Sequence, residues 1–325
     1  MTATPQAAVG FRRFLPNAQS DAWGYFCGCV LALGASLSFA TARAALVAGL
    51  SPGDLILMRF GVSGLFLLPF WIGSGLPGLA GIGWRRALGL TVLAGPGFAL
   101  MQMGGYAFAP LAHGAVIHPA SVTIISTVIA AVLLKERLSG AHLIGAALVI
   151  GGIVLISWQG LHAAAGADSW IGDVLFFTSA IIWACFTVLV RHWRLHAIRT
   201  IAVVSFLSLI LMLPGYFAWY GMDHVRALPL GAMAVQGLVQ GFGQGVLAIT
   251  AYSQAIRVLG VSRAVLFPAM VPPVSIVIGI PIVGEFPNAY QIAGLLLVTA
   301  GLLSAVGVFS VRESRHRPMR ASSAT

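Results

Sequence analysis

Charged residues are scarce in this sequence, and acidic residues are the scarcest of them. Of 325 residues, 18 are Lys or Arg and 8 are Asp or Glu, so that 8% are charged, whereas a soluble domain carries about 25%. Hydrophobic residues make up 59% of the chain, and the mean hydropathy is +0.95. So few charges cannot cover a water-facing surface of this size, which excludes a soluble protein and indicates that lipid surrounds most of the chain.

Cysteines and the short motifs of cofactor-dependent or nucleophilic enzymes are also lacking. The three cysteines, Cys27, Cys29 and Cys185, lie inside apolar runs without CxxC spacing, which argues against a disulfide framework or a zinc site. No GxxxxGK[ST], HExxH or GxSxG sequence occurs, so the sequence offers no ATP site, metalloprotease site or hydrolase nucleophile. We therefore expect neither a cofactor nor a metal.

Long apolar runs fill most of the chain. A helix that crosses a bilayer needs about 20 mostly apolar residues, and continuous runs rather than alternating patterns are typical of a helical bundle. The sequence predicts an all-α integral membrane protein with ten transmembrane helices. Their approximate limits are Ala22–Ala42, Leu55–Ile72, Ala87–Ala109, Leu111–Leu134, Ala141–Trp158, Ile171–Val190, Thr200–Tyr220, Leu230–Ala255, Ala264–Gly284 and Tyr290–Ser310.

The basic residues indicate an orientation. The net charge of +10 comes from small groups between apolar runs rather than from a basic stripe, so we expect no nucleic-acid partner. With ten spans and both termini in the cytoplasm, fifteen Lys and Arg residues fall inside, Arg43 and Arg226 fall outside, and Arg59 lies within the second span. This asymmetry is typical of the inner, cytoplasmic membrane and supports the number of spans.

The two halves of the chain resemble each other. At an offset of 149 residues, Pro119 aligns with Pro268 and Glu136 with Glu285; at 146, Tyr106 aligns with Tyr252. Because each half holds five spans, an odd number, the second half must enter the membrane from the opposite face. The sequence thus predicts two inverted five-helix repeats, an arrangement found in secondary transporters with the substrate site near the midplane.

The motifs within these repeats resemble those of a known family. They are similar to EamA-type members of the drug/metabolite transporter superfamily, and the resemblance covers nearly all of Ala22 to Ser310. It implies a central cavity between the repeats and the export or exchange of small metabolites, without naming a substrate. The residues that carry it are His118-Pro119, Lys135-Glu136-Arg137-Leu138-Ser139 and Gly145 in the first repeat, and Pro268, Gly284-Glu285 and Gln291-Ile292-Ala293-Gly294 in the second.

This resemblance and the spans together give a domain organisation. We expect a cytoplasmic tail over residues 1–21, a first repeat over 22–158, an external linker over 159–170, a second repeat over 171–310 and a basic cytoplasmic tail over 311–325.

Prolines in corresponding spans of the two halves predict hinges or broken helices. Pro119 lies in the fourth span, and Pro268, Pro272 and Pro273 lie in the ninth. Each proline removes a backbone donor and crowds the carbonyl four residues earlier, so that opened backbone would line a cavity. Ordinary packing kinks are the alternative.

His118, beside Pro119, is the candidate for proton coupling. An ionisable group at membrane depth usually faces the bundle interior or a water-filled cavity, and histidine titrates closest to neutral pH. A neutral histidine that donates one hydrogen bond between helices is the alternative. Glu136 and Glu285 lie at span ends on opposite faces, too far apart for paired acid/base work, and are expected to have structural roles.

Further polar and aromatic side chains are candidates for the wall of a substrate cavity. Gln236, Gln240 and Gln244 lie four residues apart in the eighth span, where they could bind a polar substrate or join helices. Arg59 is expected to snorkel or to pair with Asp54. The predicted cavity residues are His118, Gln240, Gln244, Gln102, Tyr106, Trp183 and Tyr252.

These features favour a secondary transporter of a small organic metabolite that works by alternating access in the lipid bilayer. A membrane-embedded enzyme acting on a lipid-soluble substrate is the first alternative, although the expected clustered catalytic residues are missing from the sequence. A non-transporting scaffold is the second. The sequence does not indicate an oligomeric state.

Overall fold

The computed structural model describes residues 20–73, 79, 81–133, 140–162 and 168–305, and these residues form helices and turns without a strand. The helices are α1 (Asp21–Val47), α2 (Pro52–Gly73), α3 (Trp84–Ala94), α4 (Pro96–Phe108), α5 (Leu111–Leu133), α6 (Gly140–His162), α7 (Ser169–His192), α8 (Ala197–Ala227), α9 (Leu230–Gln236), a π-helix (Gly237–Ala248), α10 (Ile249–Leu259), α11 (Val261–Ala264), α12 (Leu266–Ala269), α13 (Val271–Val283) and α14 (Ala289–Ala305). Residues 1–19 of the predicted N-terminal tail, 163–167 of the predicted linker and 306–325, which include the whole predicted C-terminal tail, lie outside the described residues.

Eight helical segments of the described chain are long and apolar enough to cross a membrane. They coincide with the first eight predicted spans, with α3 and α4 forming one segment over Trp84–Phe108 and α9 to α10 forming another over Leu230–Leu259. The ninth and tenth predicted spans contain shorter apolar helices, Val271–Val283 and Ala289–Ala305. The prediction of an all-helical membrane protein is therefore confirmed.

Local sequence explains where several helices begin and end. The Ser20 side chain accepts a hydrogen bond from the Trp23 backbone N–H at 3.3 Å and caps α1. α10 ends before Gly260 and α13 ends before Gly284, whose φ angles are 78° and 76°. Glycine tolerates this backbone conformation, which stops a right-handed helix.

Two antiparallel helix pairs join the halves of the chain. α6 and α14 cross through glycines: an added Cβ on Gly145 would lie 2.6 Å from the Gly301 carbonyl oxygen, and one on Gly152 would lie 2.6 Å from that of Gly294. The pair α2 and α8 is also antiparallel, since Asp54 at the start of α2 meets the end of α8. Small residues let such helices approach closely in lipid.

Two parallel pairs bring the remaining helices to the centre. α5 runs beside α7, with His118 next to Ser179 and Ser126 next to Thr187. α1 runs beside the segment α11 to α13, because the Ser36 hydroxyl donates to the Val271 carbonyl at 3.2 Å. α1, α4, α5 and α7 enclose the core that contains Phe39, Phe98 and Tyr106.

The prolines act differently in the two halves. Helix α5 continues through Pro119, so the fourth span is not broken there, and a hinge at Pro119 stays a prediction. The ninth span is broken into α11, α12 and α13, with Pro268 inside α12 and Pro272 and Pro273 in the first turn of α13. A single proline removes one backbone N–H donor from an α-helix. Pro272 and Pro273 together remove the two N–H groups that would donate to the Pro268 and Ala269 carbonyls, and such a pair fits best at the start of a helix.

The glutamine spacing also has a different setting from the predicted one. Gln240 and Gln244 lie in the π-helix rather than in an α-helix. A π-helix has hydrogen bonds from residue i to i+5, and Gln236 and Gln240, four residues apart, both bond to backbone carbonyls of α1.

Candidate functional site

A buried polar and aromatic layer lies between α2, α4, α5 and α7, and Phe98 is at its centre. The Phe98 ring stacks on Trp183 with centroids 4.9 Å apart and lies 5.9 Å from the His118 ring. The Arg59 Cζ atom lies 5.8 Å from the same ring centroid. The structure thus brings the predicted residues Gln102, His118 and Trp183 together around Phe98 and Arg59, and we call these five residues the Phe98 layer.

Arg59 points into the bundle instead of towards its end. Its side chain is 9% exposed, its Nη1 donates to Gln102 Oε1 at 3.4 Å, and its guanidinium lies over the Phe98 ring. The predicted snorkelling and the predicted pairing with Asp54 are both wrong. Asp54 instead accepts hydrogen bonds from Ser51, Tyr216 and His224, so its oxygens are already occupied.

His118 joins α5 to α7. Its Nδ1 lies 2.9 Å from Ser179 Oγ, and the Ser179 hydroxyl donates to the Phe176 carbonyl at 2.8 Å. Because a hydroxyl has one hydrogen to donate, Ser179 accepts from His118 Nδ1–H. This is the contact expected for the packing alternative, and proton coupling by His118 stays a prediction.

Trp183 forms an aromatic row across the layer. Besides Phe98, it contacts Phe186 with ring centroids 5.1 Å apart. The row is rigid and apolar, and it borders a cation and an imidazole. Such a surface suits the apolar part of an organic molecule whose polar end meets the charged groups.

The glutamines of the eighth span join helices. Gln240 Oε1 accepts from the Ser38 hydroxyl at 2.6 Å, and Gln240 Nε2 donates to the Ser38 carbonyl at 2.7 Å. Gln236 Nε2 donates to the Thr41 carbonyl at 3.0 Å. These contacts are those of the helix-joining alternative, while Gln244 Oε1 is buried and has no hydrogen-bond partner among the described residues.

The two tyrosines that align in the repeats lie in different surroundings. Tyr106 is fully buried and contacts Phe39 and Phe176. Its buried hydroxyl has no hydrogen-bond partner among the described residues. Tyr252 packs in another cluster, with Cys27 at the opposite part of α1. The structure therefore does not bring Tyr252 to the Phe98 layer, and the roles of both tyrosines stay predictions.

A charged cluster ties several elements together at one end of the bundle. Arg43 Nε lies 2.7 Å from Glu285 Oε1, and Arg43 Nη1 donates to the Tyr106 carbonyl at 2.6 Å. The second Glu285 oxygen accepts from the Leu111 backbone N–H at 2.7 Å. The structural role expected for Glu285 is thus a link between α1, the start of α5 and the residues after α13; Glu136 lies outside the described residues.

Other charged contacts lie near the same end. His113 Nδ1 lies 2.7 Å from Asp173 Oδ1, and Asp54 lies 3.0 Å from His224 Nε2. A cavity of about 260 Å³ opens beside Glu285, lined by Leu111, Ile276 and Gln291 among others. Within the described residues no three His, Cys, Asp or Glu side chains are placed to hold a metal ion.

Sequence reasoning missed two parts of this arrangement. Phe98 was not singled out, because one phenylalanine among 18 carries no signal in sequence. Arg43 stands out in the sequence only as one of two basic residues on the predicted outer side, which gives no sign of its contacts with Glu285 and Tyr106.

Comparisons with known proteins agree with this fold. The EamA-like transporter family matches residues 22–158 and 170–307. A solved structure described as the crystal structure of a protein has a TM-score of 0.60 and 19% identity, covering 90% of this chain and 100% of that one; this similarity supports the fold alone.

Two named relatives are similar in sequence. "Uncharacterized transporter YyaM" of Bacillus subtilis is 25% identical over 66% of this chain and 70% of its own length. "Probable terminal-alkyne amino-acid exporter" of Streptantibioticus cattleyicolor is 24% identical over 55% of this chain and 59% of its own length. Because the family match spans both halves and eight apolar helices of membrane-crossing length are present, the chain belongs to the EamA-like transporter family of the drug/metabolite transporter superfamily and is a multi-pass membrane protein.

Proposed function

We propose that this protein is a secondary transporter, an exporter or exchanger, that moves a small organic metabolite such as an amino acid across the cytoplasmic membrane by alternating access. The Phe98 layer is the observation that carries the proposal. A cation, an amide, an imidazole and stacked aromatic rings meet inside a bundle of apolar helices. Polar groups at this depth are costly and usually mark a substrate pathway.

The helix contacts support two inverted five-helix repeats. The glycines that align at an offset of 149, Gly145 with Gly294 and Gly152 with Gly301, contact one another crosswise where α6 crosses α14. If each glycine is replaced by its equivalent in the other half, the same two contacts result: Gly145 with Gly301, and Gly152 with Gly294. Since equivalent helices are antiparallel, the axis that relates them is perpendicular to the helices, as an inverted repeat requires.

Ten spans with both termini in the cytoplasm complete the proposal. The eight long helices and the helices of the ninth and tenth spans would then put Arg43 and Glu285 at the outer end. In this arrangement the ion pair closes the outer end of the bundle, and its separation would open the Phe98 layer to the outside. Two conformations that alternate in this way need no ATP site.

The name of one relative guides the choice of substrates to test. The relative called a probable amino-acid exporter supports amino acids and related compounds as the first class. Stabilisation by a ligand that binds the folded state raises the melting temperature, so a thermal-shift screen of such compounds should select candidates for transport.

Counterflow in proteoliposomes tests the function. Purified protein should exchange an internal unlabelled metabolite for external labelled metabolite faster than empty liposomes do. If a broad amino-acid and metabolite panel gives no exchange above the empty liposomes, the proposal is wrong, and a membrane-embedded enzyme or a scaffold becomes the better interpretation.

The same assay tests the proton-coupling role of His118. His118→Ala should change the pH dependence of exchange if this imidazole carries a proton. Within the described chain, the charged group that contacts the same Phe98 ring as His118 is Arg59. An unchanged pH profile would remove the proton-carrier role and leave the transporter proposal in place.

A further inference from the structure

Arg59 is a buried cation to which the described part of the chain gives no anionic partner. No Asp or Glu oxygen among the described residues lies within 4.0 Å of its nitrogens. Asp54, on the same helix, is 1% exposed and fully engaged by other donors. Removing a charge from water is expensive, and a buried guanidinium usually has a counter-ion.

The contacts that Arg59 does have compensate its charge only in part. Its hydrogen bond to Gln102 Oε1 is 3.4 Å long, whereas charge-assisted hydrogen bonds are about 2.7–2.9 Å. The Phe98 ring, at 5.8 Å, adds a cation–π contact. Most of the N–H donors of the guanidinium are therefore left for another acceptor.

The guanidinium is buried but not completely enclosed. Arg59 is 9% exposed, and its nitrogens are not among the completely enclosed polar atoms that lack a partner in the described chain, such as Tyr106 Oη and Gln244 Oε1. Gln102 Nε2 has no hydrogen-bond partner among the described residues and offers a second donor beside it.

The depth of this position suits a substrate. Arg59 is seven residues after the start of α2, His118 is seven after the start of α5, and Gln102 is six before the end of α4. At 1.5 Å per residue these positions lie about 10 Å from one end of the bundle, or about a third of the way through a hydrocarbon core of about 30 Å.

We infer that Arg59, together with Gln102, binds the carboxylate of the transported substrate. This inference rests on the proposed function and narrows it to small organic acids with one carboxylate, amino acids included. The guanidinium fork matches a carboxylate in two hydrogen bonds, and the Phe98–Trp183 stack packs against the apolar part of the molecule.

The charge of the site favours a carboxylate over a phosphate. Arg59 is the permanent cation of the Phe98 layer when His118 is neutral and donates to Ser179, and Arg43 is paired with Glu285. A phosphate monoester carries close to two negative charges at neutral pH and would be left with an excess negative charge there. A carboxylate is neutralised by one guanidinium.

Competition in the counterflow assay tests the inference. The probes are radiolabelled amino acids and short monocarboxylic acids, each competed by the unlabelled acid, by its carboxamide and by an organic phosphate of similar size. The acid should compete and the carboxamide should not, because only the acid brings a negative charge to Arg59. Equal competition by the carboxamide, or stronger competition by the phosphate, would overturn the carboxylate assignment.

Variants assign the effect to Arg59. Arg59→Gln should weaken the apparent affinity for the acid about tenfold or more, since a hydrogen bond to a charged group is lost, and Arg59→Lys should have an intermediate effect. Arg226→Gln, which changes an exposed arginine paired with Asp223, is the matched control and should leave the affinity unchanged. An unchanged affinity in Arg59→Gln would contradict the inference.

Two further readouts separate a loss of binding from a loss of fold. Without substrate, Arg59→Gln should melt no lower than the wild type, because it removes a charge that lacks a counter-ion. Gln102→Ala, which keeps Arg59, should also weaken competition by the acid. A melting temperature that falls in Arg59→Gln while Gln102→Ala binds the acid normally would show a structural role and overturn the assignment.

The outcome of the panel keeps this inference distinct from the proposed function. Exchange of neutral or cationic metabolites alone, unaffected by Arg59→Gln, would leave the transporter proposal standing and overturn the carboxylate assignment. The absence of exchange for every compound would overturn both.

Discussion

At the scale of single residues, Asp54 organises the start of α2. Its side chain is 1% exposed and accepts hydrogen bonds from the Ser51 backbone and hydroxyl at 2.8 Å, from the Tyr216 hydroxyl, and from His224 Nε2 at 3.0 Å. One carboxylate thus joins the loop before α2 to the end of α8.

Asp54→Asn should strongly destabilise the protein. An amide cannot accept from all of these donors, and breaking a buried charged network by changing one partner costs about 3–5 kcal/mol. We expect a lower melting temperature in detergent, measured by intrinsic fluorescence. Asp223→Asn, at an acid whose side chain is 97% exposed, is the control and should melt as the wild type does; equal melting of both variants would contradict this role of Asp54.

Residue-scale contacts were the hardest to predict from sequence. The presence of Asp54 and Arg59 one turn apart suggested that they pair, because sequence reports only neighbours along the chain. The actual partners, Gln102 for Arg59 and His224 for Asp54, come from other helices. Their choice depends on how the helices pack, which no local pattern contains.

At the scale of elements, glycines set the distance between α6 and α14. Gly145, Gly152, Gly294 and Gly301 face one another, and each would place an added Cβ within 2.7 Å of a carbonyl oxygen on the other helix. In lipid, where apolar side chains gain little by leaving the solvent, this close packing is a main source of helix association.

Gly152→Ala should weaken the α6–α14 contact. The added methyl group would overlap the Gly294 carbonyl, and overpacking of this kind costs about 1–3 kcal/mol. We expect a lower melting temperature than in Gly151→Ala, the neighbouring control, where an added Cβ would meet nothing within 4 Å. A Gly152→Ala variant as stable as Gly151→Ala would show that the helices do not depend on this approach.

Helical spans were predicted well, because they depend on the hydropathy of the segment itself. Helix breaks were predicted poorly, because they depend on contacts with neighbouring helices. The first eight spans follow from apolar length alone. Whether a proline breaks a helix depends on what else can satisfy the backbone, so α5 continues through Pro119 while the ninth span is divided. The π-helix around Gln240 likewise reflects close contact with α2, where Gly241 and Gly245 lie against Met58 and Ser63.

At the scale of the whole molecule, the proposed topology puts the two ends of α8 on opposite sides of the membrane. α8 begins after His196 and is kinked at Gly221, just before Asp223 near its other end, and both His196 and Asp223 are exposed. The proposed orientation puts the His196 end in the cytoplasm, in keeping with Arg191, Arg194 and Arg199 at that end.

Single cysteines at these two positions test the topology. In a protein with Cys27, Cys29 and Cys185 replaced by serine, Asp223→Cys should react with a membrane-impermeant maleimide in intact cells. His196→Cys should react only after the membrane is permeabilised. The reverse pattern would show the opposite orientation, and labelling of both in intact cells would contradict a spanning α8.

In the proposed transport cycle, the end of the bundle where Arg43 meets Glu285 must open. In the cysteine-free protein, Arg43→Cys combined with Glu285→Cys allows the two positions, joined here by a 2.7 Å ion pair, to be tied by a short, cleavable thiol cross-linker. Counterflow is measured in this double-cysteine protein before cross-linking, after it and after cleavage. Exchange should stop in the cross-linked protein and return on cleavage, while the cross-linker should not change the exchange rate of either single-cysteine protein; exchange that continues at the same rate with the two positions joined would show that this end need not open.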